Sequence, residues 1–132
     1  MNVTGSCHCG AVTFEAQVNP EYVIICHCTD CQVISSAPYR VTAPVKAANL
    51  RLTGTPSTYI KTGDSGTRRK LAFCGTCGAA LYTTSLEEHP EVINLRWGVI
   101  HQRRELKPLA QGFCRSRLPW AVDLADVPEV HV

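Results

Sequence analysis

The 132-residue chain is 45% hydrophobic and 18% charged, enough apolar material for one core, and residues 1–132 read as a single domain. Thirteen Lys and Arg against eleven Asp and Glu leave a formal charge of +2, too slight a basic excess for a nucleic-acid binder. No stretch approaches the ~20 apolar residues that cross a bilayer, and the start Met1-Asn2-Val3-Thr4-Gly5 lacks a secretory pattern, so the expected setting is the reducing cytoplasm.

In chain order, Val12, Phe14, Ala16 and Val18 alternate with Thr13, Glu15 and Gln17, which predicts a half-buried strand ended by Asn19-Pro20. Residues 22–25 form a short apolar run and read as the next strand. Residues 29–35 predict about two turns of helix beside a cysteine cluster. Further strands are expected at 39–43, 49–53, 57–62, 71–73, 80–84 and 92–97. Gly63-Asp64-Ser65-Gly66 supplies a turn between two of them. A single helical turn is expected at 86–89, stopped by Pro90. Many short strands punctuated by Gly and Pro argue for a mainly β fold with few short helices.

Seven of the eight cysteines lie in three clusters: Cys7-His8-Cys9-Gly10, Cys26-His27-Cys28-Thr29-Asp30-Cys31 and Cys74-Gly75-Thr76-Cys77-Gly78. Cysteines one or two residues apart can point their sulfurs at one ion, and a following glycine suits the tight turn. Zinc in a closed site takes four ligands. Cys7 and Cys9 with Cys74 and Cys77 make such a set, whereas the middle cluster joined to either pair would make five. Cys26, Cys28 and Cys31 therefore stand as a three-thiolate set with a fourth position to fill. Three protein ligands and an open position is the pattern of catalytic zinc; Cys114, His27, His8, His101 or Asp30 would instead close it. His8 and His27, each between two cysteines, are expected to point to solvent or behind the ligands. Loaded with two dications on seven thiolates, the chain loses its weak positive balance.

These motifs resemble the glutathione-dependent formaldehyde-activating enzyme family, whose members include centromere protein V. The resemblance runs through Gly5-Ser6-Cys7-His8-Cys9-Gly10, Cys26-His27-Cys28 with Cys31, and Leu52-Thr53-Gly54. It continues through Phe73-Cys74-Gly75-Thr76-Cys77-Gly78 to Arg117-Leu118-Pro119-Trp120. It implies a small zinc-clipped β-tent fold of several short twisted sheets, similar to Rab-accessory factors and methionine sulfoxide reductase type B. It implies a structural zinc at Cys7, Cys9, Cys74 and Cys77 and a catalytic zinc at Cys26, Cys28 and Cys31. The implied activity is a carbon–sulfur lyase like S-(hydroxymethyl)glutathione synthase, with a small thiol (glutathione) and formaldehyde or a related aldehyde as partners. Neither nucleic acid nor membrane is expected as a partner.

Two positions depart from the family pattern. Gly98-Val99-Ile100-His101 stands where Gly-Thr-Leu-Asp is common, and Gln111 stands where a His is common, nine residues before Trp120. Two rival readings remain. One is a non-enzymatic zinc-clipped interaction module. The other is a methionine sulfoxide reductase type B-like redox enzyme using Cys114, although a lone cysteine in a β-rich chain is ordinarily a small hydrophobe. Arg68, Arg69 and Lys70, or Arg115 and Arg117, are candidates to meet glutathione's carboxylates, against a reading as a solvated strand face. Trp97 and Trp120 read as core or rim aromatics.

Overall fold

The computed structural model describes residues 1–131. Its strands are β1 (Asn2–Ser6), β2 (Thr13–Gln17), β3 (Ile24–Cys26), β4 (Arg40–Lys46), β5 (Leu50–Thr53), β6 (Ser57–Thr62), β7 (Arg68–Phe73), β8 (Ala80–Thr84), β9 (Val92–Arg96) and β10 (Ala110–Gly112). One α-helix, α1 (Thr29–Ser35), follows β3. Among the described residues the fold is thus mainly β, as expected.

Strands β1, β2 and β5 form a three-stranded antiparallel sheet in that order; the other seven run β10-β3-β4-β9-β8-β7-β6. The alternation read at 12–18 is realised in β2, where Phe14 and Ala16 are buried while Thr13, Glu15 and Gln17 are exposed. With Val3 and Val18 they pack against Ala43 and Val45 of β4 and Ile93 and Leu95 of β9, so the two sheets share one apolar cluster. A second, smaller cluster gathers Cys7, Val12, Cys74 and Leu81.

On β4 and β9 the side chains that do not enter this core belong to the opposite face of the sheet. Thr42 pairs with Arg96 in register, and Arg40 pairs with Cys26 of β3. That face becomes the floor of the site below.

Two expectations about elements need correction, and two strands are new. Tyr22 lies in a short 3₁₀ turn, Pro20–Tyr22, rather than in a strand, because Asn19 caps the Glu21 N–H and turns the chain before β3 begins. Residues 86–89 form bends, not a helical turn; Leu86-Glu87-Glu88-His89 offers one apolar residue and no stripe to bury. β1 and β10 were not anticipated. β1 carries Gly5 at an inward position, and β10 is three residues long and runs parallel to β3.

Candidate metal centres

The first centre joins two glycine-ended knuckles. Gly10 and Gly78 take φ of +84° and +80°, the left-handed conformation that lets each turn close behind its second cysteine. In each knuckle a backbone N–H reaches a sulfur: Val12 N–H donates to Cys7 Sγ at 3.3 Å and Cys77 N–H to Cys74 Sγ at 3.5 Å. The Sγ atoms of Cys7, Cys9, Cys74 and Cys77 all lie within 4.8 Å of one another. The Cys7–Cys9 and Cys9–Cys74 sulfur separations are both 3.7 Å. A tetrahedron with metal–sulfur bonds of ~2.3 Å has edges of about 3.8 Å, so this donor set fits a zinc-sized ion.

The charges of these thiols point the same way. The Ala79 and Cys9 backbone N–H groups bring Cys77 down to about 6, and the Val12 N–H lowers Cys7. Despite the Ala11 N–H, desolvation and the neighbouring Cys74, Cys7 and Cys77 sulfurs push Cys9 up to about 11. Four crowded thiols cannot all ionise unaided; a cation among them turns that repulsion into attraction.

The second centre is built from β3 and α1. Cys28 caps the helix, its Sγ accepting the Cys31 N–H at 3.3 Å, and Cys26 is the last residue of β3. The sulfurs of Cys26, Cys28 and Cys31 also lie within 4.8 Å of one another, and this cluster contains three donors. Burial lifts Cys31 to about 12 against the pull of Arg40. For Cys26, burial opposes ionisation, but the Cys28 N–H, the Cys31 and Cys28 sulfurs and Arg40 outweigh it and lower the thiol.

Cys26, Cys28 and Cys31 lie on the wall of a cleft of about 600 Å³, within the size range of small-molecule sites. Five cationic side chains line it (Arg40, Lys61, Arg69, Arg96 and Arg115), against Asp30 and Asp64. Lys61 already pairs with Asp30 at 3.2 Å. Arg96 is 7% exposed, and its Nη1 donates to Ser35 Oγ of α1 at 2.9 Å. Burial, then the charge of Arg40, brings Arg96 down to about 10 while Cys31 and Cys26 oppose the shift. Phe113, 59% exposed and at φ +55°, sits at the same cleft.

The cysteine partition read from the spacing is the one the fold brings together. None of the five residues named as possible fourth donors joins the three-sulfur cluster. His101 Nδ1 lies 2.9 Å from Thr4 Oγ1 near β1, Asp30 is held by Lys61, and Cys114 is exposed with its sulfur 3.8 Å from the Gln111 carbonyl. His8 is exposed, whereas His27 is buried, its Nε2 2.8 Å from Gln111 Oε1 and its ring edge-on to Tyr39. Gln111, one of the departing positions, is therefore the partner of the histidine between two sulfurs. Of the cations proposed from sequence, Arg69 and Arg115 line the cleft. Arg40 and Arg96 were missed; their only signal was polar placement at the edges of two apolar strand runs.

The family model for glutathione-dependent formaldehyde-activating enzyme matches residues 2–116. No curated protein sequence matches the chain. Among solved structures, the crystal structure of a Rhodobacter sphaeroides protein from structural genomics superposes with a TM-score of 0.61 at 24% identity. That match covers 82% of this chain and 98% of the other, a likeness of fold.

Proposed function

The chain belongs to the glutathione-dependent formaldehyde-activating enzyme family, and from that premise we propose that it is a zinc-dependent carbon–sulfur lyase resembling S-(hydroxymethyl)glutathione synthase. The observation that carries the reading is the three-sulfur cluster of Cys26, Cys28 and Cys31 opening on a cleft whose charged side chains are mostly cationic. In this reading Cys7, Cys9, Cys74 and Cys77 hold a structural zinc and tie the described residues, 1–131, into one domain. Cys26, Cys28 and Cys31 hold the catalytic zinc. When bound there, zinc supplies a Lewis acid that favours the thiolate form of a thiol substrate.

The chain's own residues do the rest. The cationic floor of Arg40 and Arg96 draws an anionic thiol into the cleft and adds to the stabilisation of its thiolate. The thiol gives up its proton, and its sulfur electron pair forms a bond to the carbonyl carbon of formaldehyde. The C=O π pair moves to oxygen, which takes up a proton to complete the S-hydroxymethyl adduct. The reverse direction breaks the carbon–sulfur bond and restores thiol and aldehyde. A cytoplasmic setting, where glutathione is kept reduced, accords with this chemistry.

Exchange NMR between free glutathione and its hydroxymethyl adduct tests the proposal. The zinc-loaded protein is expected to accelerate exchange in proportion to its concentration, and Cys28→Ser to abolish the acceleration. Exchange at the buffer rate with fully loaded protein would refute the lyase reading.

A further inference from the structure

We propose that Arg40 and Arg96 form a carboxylate-binding subsite beside the three-cysteine centre, selecting thiols that carry a carboxylate over neutral thiols. The choice of a thiol as ligand rests on the lyase reading above; the anion site itself rests on the arrangement of the two arginines.

They occupy adjacent strands of the large sheet, β4 and β9, and both line the cleft that holds Cys26, Cys28 and Cys31. Neither has a carboxylate partner: among the described residues the ion pair found is Lys61 with Asp30. Arg96 spends one donor on Ser35 Oγ, and the Nε atoms of both arginines are buried without any hydrogen-bond partner. Two guanidinium groups facing one cleft, with Arg96 more than nine-tenths buried and its charge disfavoured by burial and by Arg40, form an arrangement without a carboxylate to balance it. The metal-bound thiolates offset it only in part, since a dication among three thiolates leaves a single negative charge. A ligand carboxylate supplies the missing charge, and guanidinium forks match carboxylate geometry bidentately.

The position explains why the subsite acts on substrate choice. Arg40 is paired in register with Cys26, so a carboxylate on this floor lies in the same cleft as the sulfur-binding centre. Glutathione, with two carboxylates, satisfies both demands at once; a neutral thiol satisfies only one. Arg69 and Arg115 elsewhere on the cleft wall add to its positive field.

The test uses zinc-loaded protein and a probe without a thiol, the tripeptide γ-glutamyl-alanyl-glycine, compared with its dimethyl ester by calorimetric titration. Wild type is expected to bind the acid at least about tenfold more tightly than the ester. Arg40→Gln, at a half-buried position, and Arg96→Gln should each remove most of that preference. Arg51→Gln, an equal change of net charge on the exposed face of β5, should leave it intact. Far-ultraviolet circular dichroism checks that each variant is folded, and Arg40→Gln carries the test if Arg96→Gln is not. Equal binding of acid and ester by wild type, an undiminished preference in Arg40→Gln, or displacement of the acid by inorganic phosphate at equal concentration would each overturn the subsite. Acid preference without formaldehyde exchange would refute the lyase reading alone; exchange without acid preference would refute the subsite alone.

Discussion

Replacing Cys28 and Cys74 by serine separates the two centres by what each does for the fold. Cys28 is half-buried and caps α1 through the Cys31 N–H. Serine is among the strongest N-cap residues, so Cys28→Ser keeps that hydrogen bond and changes the stability of the metal-free fold by no more than about 1 kcal/mol. Cys74 is 2% exposed and packs with Val12 and Leu81, and its sulfur belongs to the centre that joins the loop after β1 to the loop after β7. A structural zinc contributes about 10–16 kcal/mol in small zinc peptides, while a whole domain is net stable by about 5–15 kcal/mol. Losing even a third of the zinc contribution should lower Tm by more than about 10 °C for a chain of this length. The assay is metal content by mass spectrometry alongside thermal melting followed by circular dichroism. Wild type should carry two zinc ions, and Cys28→Ser one, with a melt lowered only by the loss of that ion; Cys74→Ser should melt far lower or fail to fold. A Cys28→Ser protein that melts as low as Cys74→Ser, or that retains both metals, would refute the division into a structural and an open centre.

Gly5→Ala should destabilise by about 3 kcal/mol in urea unfolding: its Cβ would overlap Phe14 Cζ and the Val99 carbonyl oxygen, and Gly5 itself is held between its partner Phe14 on β2 and a bridge to Ile100. A change below about 0.5 kcal/mol would show that β1 shifts freely. Gln111→Ala removes the partner of His27 Nε2, whose Nδ1 already lacks one, and should cost about 1–3 kcal/mol by the same measurement. In the metal-free protein, iodoacetamide at pH 7 should label Cys77 before the more exposed Cys9, because Cys77 sits at about 6 and Cys9 at about 11. Cys77 is then mostly thiolate, and its advantage should remain at least about tenfold after allowing for its lower intrinsic nucleophilicity; peptide mapping with Cys9 labelled first would contradict it. Since its value is lowered on folding, Cys77 stabilises the metal-free fold fully above about pH 9, a contribution lost as pH falls through about 6.

Much of the strand placement along the chain was readable, most clearly where a sheet writes its faces into a period of two. Phe14 and Ala16 announced their inward face, and 57–62 and 80–84 coincide with β6 and β8. The helix at Thr29–Ser35 carried a weaker signal than the strands, yet it forms over the residues expected. β10 was not, since three residues held by parallel pairing to β3 carry no local pattern. The residues from Leu86 to His89 show the opposite error, where a plausible local turn lacked an apolar face to anchor it.

By itself the sequence determined a mainly β chain and the division of seven cysteines into four and three, because ligand number and knuckle spacing are local chemistry. Only the tertiary structure decided what surrounds the three. Arg40 and Arg96 sit at alternating positions that locally resemble a solvated strand face, and His27 resembles an exposed spacer between two ligands. Packing of α1 over the large sheet, and of β10 beside β3, buries Arg96 and His27 and puts both arginines in the cleft of Cys26, Cys28 and Cys31. Alternation states which side chains share a face; whether that face meets water or another element depends on contacts distant in the chain, such as Ser35 with Arg96, and no local pattern encodes them.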